Sequence, residues 1–342
     1  MALLDQYRTL REAAALVDRS SLGRLRLEGA DRRVYLQGLL TNDIEALVAG
    51  GGCYAAYLTP QGRMIADLRV FEMGDGLLVD LAASAAAIVS ERWSRFIFSE
   101  DVELTDLTGT TAEIGVYGPV ASRVLSAALA AAPTVSEDPP PADVLDAMPV
   151  YANTRCDFAG SPIVIMRSDD TGVMGFDVVV PVERQAALQA FLVQAGAVSV
   201  GAEAVETCRV EAGRPVFHVD MNEDTIPLEA GIEDRAISLT KGCYVGQEVI
   251  IRVLHRGHGR VARRFVGLTF PEGTPVPARG DRLRSGDRDV GAITSAVHSL
   301  GLDRPIALAF LLRDFVAPGT VVTALHEGEE SSATVTERPF VL

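Results

Sequence analysis

The segment from Arg263 to the C-terminus limits the fold of the chain most strongly. Short runs of alternating apolar and polar residues recur along it, separated by Gly, Pro and charged turns. These runs are Phe265–Leu268, Val290–Ser295, Ile306–Leu311, Val321–Leu325 and Ala333–Val335. Short strands at this spacing are typical of a small antiparallel barrel or sandwich. The sequence therefore predicts an all-β module over residues 256–342, following a mixed α/β region over residues 1–255.

Two similar strand–turn–strand–helix passages organise the region before residue 255. The first, residues 63–97, turns at Gly74-Asp75-Gly76, and the second, residues 162–195, turns at Asp169-Asp170-Thr171-Gly172. In the first strand of the first passage, Asp67 and Arg69 share one face, because successive strand side chains point to opposite sides. The passages predict two antiparallel hairpins with packed helices, and so an α+β fold.

The charge balance and cysteine usage exclude several classes of protein. The 342-residue chain has a net charge of −15, which argues against binding nucleic acid or an anionic membrane surface. Its four cysteines form no C-x-x-C pair, so neither a disulfide framework nor a metal cage is indicated. No signal peptide, membrane span, nucleotide-binding glycine loop or G-x-S-x-G elbow is present. We expect a cytoplasmic protein with reduced thiols.

A cysteine between two glycines is the first candidate for chemistry. Residues 241–248 read Lys-Gly-Cys-Tyr-Val-Gly-Gln-Glu and precede an apolar run. A positive helix end and the basic side chains of Lys241 and Arg252 would favour the thiolate of Cys243. The alternative is that Cys243 is a small buried apolar residue, the usual place of a free cysteine.

Three carboxylates on otherwise apolar elements form the second candidate: Asp67, Asp177 and Glu211. Buried carboxylates pair with donors because an unpaired charge is costly to bury. Such groups suit recognition of a ring edge that is rich in N–H donors. The alternative is that Asp67 and Asp177 face solvent on sheets buried on one side only.

A basic cluster is the third candidate. Its members are Arg252, Arg256, Arg260, Arg263 and Arg264, interleaved with His255 and His258. The arginines could bind an anion with several carboxylates or phosphates, or they could form a solvated surface. No third ligand accompanies the two histidines, so no metal site is predicted.

The octapeptide points to a family. Lys241, Gly242, Cys243, Tyr244, Gly246, Gln247 and Glu248 match the K-G-C-Y-x-G-Q-E signature of the YgfZ family. That family comprises folate-binding proteins of iron–sulfur cluster assembly or repair and is related to the glycine-cleavage (GcvT-like) aminomethyltransferases. Further segments that resemble it are Thr41–Asp43, Gly62–Phe71, Thr171–Asp177, Arg209–Gly213 and Val290–Ala309.

The resemblance implies three subdomains around a central folate channel. Two of them would be interleaved within residues 1–255, with the middle one at roughly 45–112, and the last would be the C-terminal antiparallel β-barrel. Tetrahydrofolate, or a related reduced folate, would be the cofactor.

The resemblance also implies roles for individual residues. Asp67 takes the second position of an aspartate pair that orients the folate and supports methylene transfer, while Ala66 stands at the first. Asp177 falls where the aminomethyltransferases use a glutamate against the pterin ring. Tyr54 aligns with a tyrosine that packs on the folate. Glu211 and Arg252 complete the expected folate contacts.

The sequence favours a tetrahydrofolate-binding factor that supports iron–sulfur cluster assembly or repair, with Cys243 as a functional thiol beside Asp67. Iron–sulfur proteins or assembly factors would then be partners. The alternative is a folate-dependent aminomethyltransferase of the glycine-cleavage type, and the sequence leaves open whether turnover occurs. Against it, Glu203 stands where those enzymes carry an arginine, and they lack a cysteine at the position of Cys243. A third hypothesis is an interaction module without ligand binding.

Overall fold

The structure is a computed structural model that describes residues 1–133, 139–256 and 259–341. Its helices are α1 (Leu3–Glu12), α2 (Arg32–Gln37), α3 (Ala83–Ser94), α4 (Ala121–Ala131), α5 (Ala142–Asp146), α6 (Gln185–Gln194), α7 (Ala202–Glu211), α8 (Pro227–Ala230), α9 (Glu233–Ala236) and α10 (Gln247–Ile251). Short 3-10 turns lie at Val182–Arg184 and Arg313–Phe315, and a π-helical turn follows α10 at Arg252–Arg256.

Strands form two sheets and a barrel. They are β1 (Ala15–Asp18), β2 (Leu22–Glu28), β3 (Gly52–Leu58), β4 (Met64–Glu72), β5 (Leu77–Ala82), β6 (Glu103–Asp106), β7 (Thr111–Tyr117), β8 (Asn153–Phe158), β9 (Ser161–Ser168), β10 (Gly175–Pro181), β11 (Val198–Ser199), β12 (Arg263–Thr269), β13 (Arg282–Ser285), β14 (Arg288–Ser299), β15 (Arg304–Leu312), β16 (Val321–His326) and β17 (Glu329–Thr336).

The first sheet has the strand order β11-β1-β7-β10-β9-β8, with β11 parallel to β1 and the other neighbours antiparallel. One of its faces packs against α4 and α6. There Val116 and Val178 meet Leu125 and Leu192 in one core cluster. Because side chains alternate along a strand, Glu113 and Asp177 lie on the opposite face.

The second sheet has the order β3-β4-β5-β2-β6, antiparallel throughout. Its apolar face packs on α3, where Leu68, Val70 and Val79 share a core with Trp93. Asp67 and Arg69 of β4 lie on the other face, as alternation predicts. Contacts from Arg69 to Glu113 and Asp177 show that the charged faces of the two sheets oppose each other.

The C-terminal strands close into a six-stranded antiparallel barrel in the order β12-β15-β14-β13-β16-β17. Its interior is filled by alternating apolar residues, among them Leu268, Ile293 and Val322. The predicted α+β class with a terminal antiparallel barrel is therefore confirmed. The predicted domain bounds remain predictions, although the five-stranded sheet takes its strands from residues 22 to 106.

Candidate active site

A cleft lies over the charged face of the second sheet, bounded by the turn between β9 and β10, by residues 214–217 after α7 and by the segment around α9. Its floor is a row of cross-strand neighbours on the second sheet. In the strand register Tyr54 lies opposite Arg69, Arg69 opposite Asp80, and Asp80 opposite Arg24. The first three of these line the cleft, which has a volume of about 120 Å³. That space holds about ten water-sized atoms, so the cleft is open enough for a small ring system.

Tyr54 and Asp67 meet in this cleft, as the sequence predicts for its folate contacts. The Tyr54 hydroxyl donates a hydrogen bond to Oδ2 of Asp67 over 2.7 Å, and both residues line the cleft. Burial raises the pKa of Asp67 to about 6, although the Tyr54 hydrogen bond opposes that rise. At neutral pH the carboxyl is therefore mostly ionised and close to its titration range.

An arginine of the short helix α9 closes one side of the cleft. The Arg235 guanidinium lies over the rings of Tyr54 and Tyr151, 5.2 and 5.8 Å from their centroids. It also donates to the Tyr151 hydroxyl and pairs with Asp169 and Asp170 at 3.0 and 3.3 Å. Arg235 therefore fixes a tyrosine pair to the acidic turn between β9 and β10.

Arg69 is the main charged contact between the sheets. Its guanidinium pairs with Glu113, Asp170 and Asp177 at 3.1, 3.2 and 2.5 Å. It also pairs with Asp80 on the neighbouring strand. Four carboxylates thus converge on one buried guanidinium. Further arginines must compensate the excess negative charge.

Asp177 is completely buried and does not line the cleft. It accepts hydrogen bonds from Arg69 and Tyr117, and Arg19 Nε lies 3.4 Å away. Burial opposes its ionisation, but Arg19 and Arg69 together outweigh that effect and lower the pKa of Asp177. Its predicted contact with the pterin remains a prediction, since this carboxylate lies behind the two arginines that do line the cleft.

Glu211 lies away from the cleft at the end of α7. Its buried carboxylate accepts hydrogen bonds from Tyr7 (2.8 Å), Arg11 (2.8 Å), Ser299 (2.6 Å) and the Gly301 amide (3.0 Å). These donors come from α1 and from the end of β14 and the turn after it. The structure thus places Glu211 at the junction of the body with the barrel, and its predicted folate contact has no support from the geometry.

The signature segment packs against the chain that follows α2. Lys241 Nζ donates to the carbonyls of Gln37, Leu40 and Asn42 at 2.6, 2.6 and 2.9 Å. Cys243 is exposed and is not among the residues that line the cleft. The structure therefore does not bring the predicted thiol together with Tyr54 and Asp67.

Other predicted basic residues also lie outside the cleft. Arg252 is exposed on the π-helical turn. His258 lies outside the described residues, as does the side chain of Arg256. Among the described residues, no group of three or more His, Cys, Asp or Glu side chains is arranged to hold a metal ion. None of the helices in the described ranges is long and apolar enough to cross a membrane.

Sequence reasoning missed several residues that line the cleft: Arg19, Arg69, Asp80, Asp170, Arg214 and Arg235. Arg69 had a usable signal, because it shares the Asp67 face of a strand whose other face is apolar. Asp170 read only as a turn residue, and Arg235 followed no recognisable pattern. Their roles depend on contacts between segments that are far apart in sequence.

The fold and the cleft define a class of α+β protein with two opposed sheets, a charged cleft over one of them and a closed C-terminal barrel. The family model of the GCVT N-terminal domain matches residues 2–241, and that of the glycine cleavage T-protein C-terminal barrel domain matches residues 263–341. The chain belongs to the glycine cleavage T-protein family.

Individual relatives agree with this assignment. An aminomethyltransferase of Cutibacterium acnes is 32% identical over 98% of this chain and 90% of its own length. One from Synechococcus elongatus is 31% identical over 99% of this chain and 88% of its own length. The crystal structure of the glycine cleavage system aminomethyltransferase T from Bartonella henselae has the same fold. Its TM-score is 0.87 at 22% identity, covering 99% of this chain and 90% of that one.

These findings correct two predictions from the sequence. The assignment to the YgfZ family is wrong, because the family models and the relatives match the glycine cleavage T-protein over nearly the whole chain. The assignment depended on an octapeptide that begins at residue 241, where the matched N-terminal domain ends. The predicted function in iron–sulfur cluster assembly or repair is wrong for the same reason, and iron–sulfur partners have no support.

Proposed function

We propose that the chain is a reduced-folate-dependent aminomethyltransferase of the glycine cleavage T-protein type, the alternative that the sequence left open. The hydrogen-bonded pair of Tyr54 and Asp67 in an open cleft carries the proposal. Membership of the family and relatives named aminomethyltransferase support it. Tetrahydrofolate would bind in the cleft as the acceptor of the one-carbon unit.

The cleft residues suit this transfer. A reduced folate nitrogen must attack a one-carbon unit that gains positive character as its bond to the donor atom breaks. An ionised Asp67 in a partly dry cleft would orient the folate and stabilise that positive charge. Tyr54 lines the cleft and offers an aromatic face beside the carboxylate, and Tyr151 stacks on it with ring centroids 6.3 Å apart. Arg235 holds the two tyrosines in place.

Two residues depart from the aminomethyltransferase pattern. Ala66 replaces the first aspartate of the pair, and it is buried on the apolar face of β4. Glu203 replaces an arginine and is exposed on α7. Transfer from an aminomethyl-lipoyl carrier protein must therefore be tested separately from folate binding.

The first experiment measures folate binding. Tetrahydrofolate at 100 times its dissociation constant should stabilise the native state by about 2.7 kcal/mol and raise the melting temperature by several degrees. Asp67→Asn should reduce this shift, whereas Glu103→Gln, on the exposed edge strand β6, should keep it. The absence of any shift with saturating reduced folate would contradict the proposal.

The second experiment measures turnover. The protein is mixed with an aminomethylated lipoyl carrier protein and tetrahydrofolate, and release of ammonia and of methylene-tetrahydrofolate is followed. Asp67→Asn should lower kcat about 100-fold, while Glu103→Gln should leave it unchanged. Folded, folate-binding protein that releases neither product would refute the assignment as an aminomethyltransferase with this donor.

A further inference from the structure

Two neighbouring aspartates in the turn between β9 and β10 have different surroundings. Asp170 lines the cleft, and Asp169 does not. Asp169 pairs with Arg214 and Arg235, whereas Asp170 pairs with Arg69 and Arg235. The Asp170 side chain is 25% exposed, while that of Asp177, seven residues later, is fully buried. Asp170 is therefore the carboxylate of this hairpin that a molecule in the cleft can reach.

The Asp170 carboxylate also has acceptor positions left. Its Oδ1 accepts a hydrogen bond from Arg235 over 3.3 Å, and its Oδ2 lies 3.2 Å from Arg69 Nη1. An ionised carboxylate has about four acceptor positions, so each oxygen keeps one. Asp177 differs, because Arg69, Tyr117 and Arg19 surround its two oxygens.

Asp170 is also electrostatically close to the Tyr54–Asp67 pair. Burial is the main cause of the raised pKa of Asp67, and the negative charge of Asp170 adds to it. Burial likewise dominates the raised pKa of Tyr54, with smaller contributions from Asp67 and Asp170. The two carboxylates therefore face one cleft, one beside the tyrosine hydroxyl and the other beside the arginines.

We infer, on the basis of the proposed function, that Asp170 binds the N–H edge of the pterin ring and is a specificity-determining residue of the folate site. That edge presents a 2-amino group beside a ring N–H, two parallel donors that match the two oxygens of one carboxylate. Asp170 thus has the pterin-binding role that the resemblance implied for Asp177. Asp177 instead holds Arg69 and Arg19 at the wall of the cleft.

The test compares two isosteric variants by calorimetric titration with tetrahydrofolate. Asp170→Asn removes the charge and replaces one acceptor with a donor, so the dissociation constant should rise about 10- to 100-fold. The matched control is Asp143→Asn, exposed on α5 and outside the cleft, which should change it less than about threefold. If Asp170→Asn does not fold, Asp170→Ser takes its place.

A second titration isolates the contact itself. A reduced folate analogue without the 2-amino group should bind the wild type more weakly than tetrahydrofolate, and the Asp170 variant should discriminate between the two ligands less than the wild type does. This double comparison separates a direct contact from a displaced Arg235. Tetrahydrofolate binding unchanged in Asp170→Asn, or equal discrimination by wild type and variant, would overturn the inference and leave the proposed function standing. Failure of the wild type to bind tetrahydrofolate would instead refute the proposed function.

Discussion

Burial and the Tyr54 hydroxyl act on the Asp67 carboxyl in opposite directions. Burial raises its pKa to about 6, because a dry environment disfavours the charged form, while the 2.7 Å hydrogen bond from Tyr54 favours that form. The residue therefore titrates just below neutral pH. Its burial lowers stability when the carboxyl is ionised, and this cost can be measured.

Asp67→Asn should stabilise the protein at high pH. Between pH 3.8 and about 6 the folded state binds more protons at Asp67 than the unfolded state does, so its contribution to stability falls as the pH rises through this window. The neutral amide avoids that loss, which reaches about 3 kcal/mol. Urea unfolding should show the variant more stable than wild type at pH 8 and nearly equal at pH 4. A gain that is larger at pH 4 would contradict this account.

Tyr54→Phe should move the pH dependence of activity upward. The hydroxyl lowers the pKa of Asp67, so its removal raises that pKa. A rise of one unit would lower the ionised fraction at pH 6 about fivefold. The acidic limb of the kcat/KM profile reports the change. Tyr151→Phe is the control, because the Tyr151 hydroxyl contacts Arg235 and not Asp67.

At the scale of elements, helix α7 joins the body of the protein to the barrel. The Glu211 carboxylate at its end accepts hydrogen bonds from Tyr7 and Arg11 of α1 and from Ser299 of β14. The amides of Phe340 and Val341 also donate to its backbone carbonyl, at 2.7 and 3.4 Å, so the C-terminal segment is attached at the same point. The end of α7 thus contacts α1, β14 of the barrel and the C-terminal segment.

Glu211→Ala should destabilise the protein by about 3 kcal/mol or more, because it leaves a partly buried guanidinium and three other donors without their acceptor. Chemical denaturation measures this loss. Glu203→Ala, exposed on the same helix, should change stability by less than about 0.5 kcal/mol. If Glu211 contacts folate instead, its replacement will weaken folate binding while stability stays near that of wild type.

At the scale of the whole molecule, two sheets meet through charges as well as apolar side chains. Glu113 of the first sheet faces Arg69, Arg24 and Arg19 at 3.1, 3.5 and 3.6 Å. Burial, with the charge of Asp177 next, raises the pKa of Glu113, while the arginines oppose the rise. These buried groups keep the facing surfaces of the two sheets polar, away from the apolar cores under the helices.

Glu113→Gln should destabilise the protein by about 1 to 3 kcal/mol, because it takes a carboxylate acceptor from three arginines and turns an amide donor towards them. The raised pKa of Glu113 means that loss of its charge offsets part of this cost. The expected effect at pH 8 is opposite in sign to that of Asp67→Asn. Melting temperatures of the two variants at that pH provide the comparison. Glu103→Gln on the exposed edge strand is the control. A Glu113→Gln protein as stable as wild type would show that the network is not needed to join the sheets.

Local pattern was enough to predict the class of fold. Alternation and turn residues indicated the hairpins and the C-terminal barrel strands, because strand periodicity and turn chemistry are properties of neighbouring residues. Resemblance at the level of single residues predicted folate contacts for Tyr54 and Asp67. The structure brings these two residues together, and their contact with folate stays a prediction. The resemblance of the octapeptide around Cys243 was misleading. That short motif indicated the YgfZ family, whereas nearly the whole chain matches the glycine cleavage T-protein.

The composition of the cleft was decided only by tertiary structure. Arg235, Asp170 and Arg69 come from a helix, a turn and a strand that are far apart in sequence. They meet because the two sheets bury their apolar faces under helices and so turn their polar faces towards each other. The same packing surrounds the Asp177 carboxylate with arginines and assigns Glu211 to a junction. Sequence fixes which face of a strand a side chain occupies. Which distant charges it meets there depends on how the sheets pack.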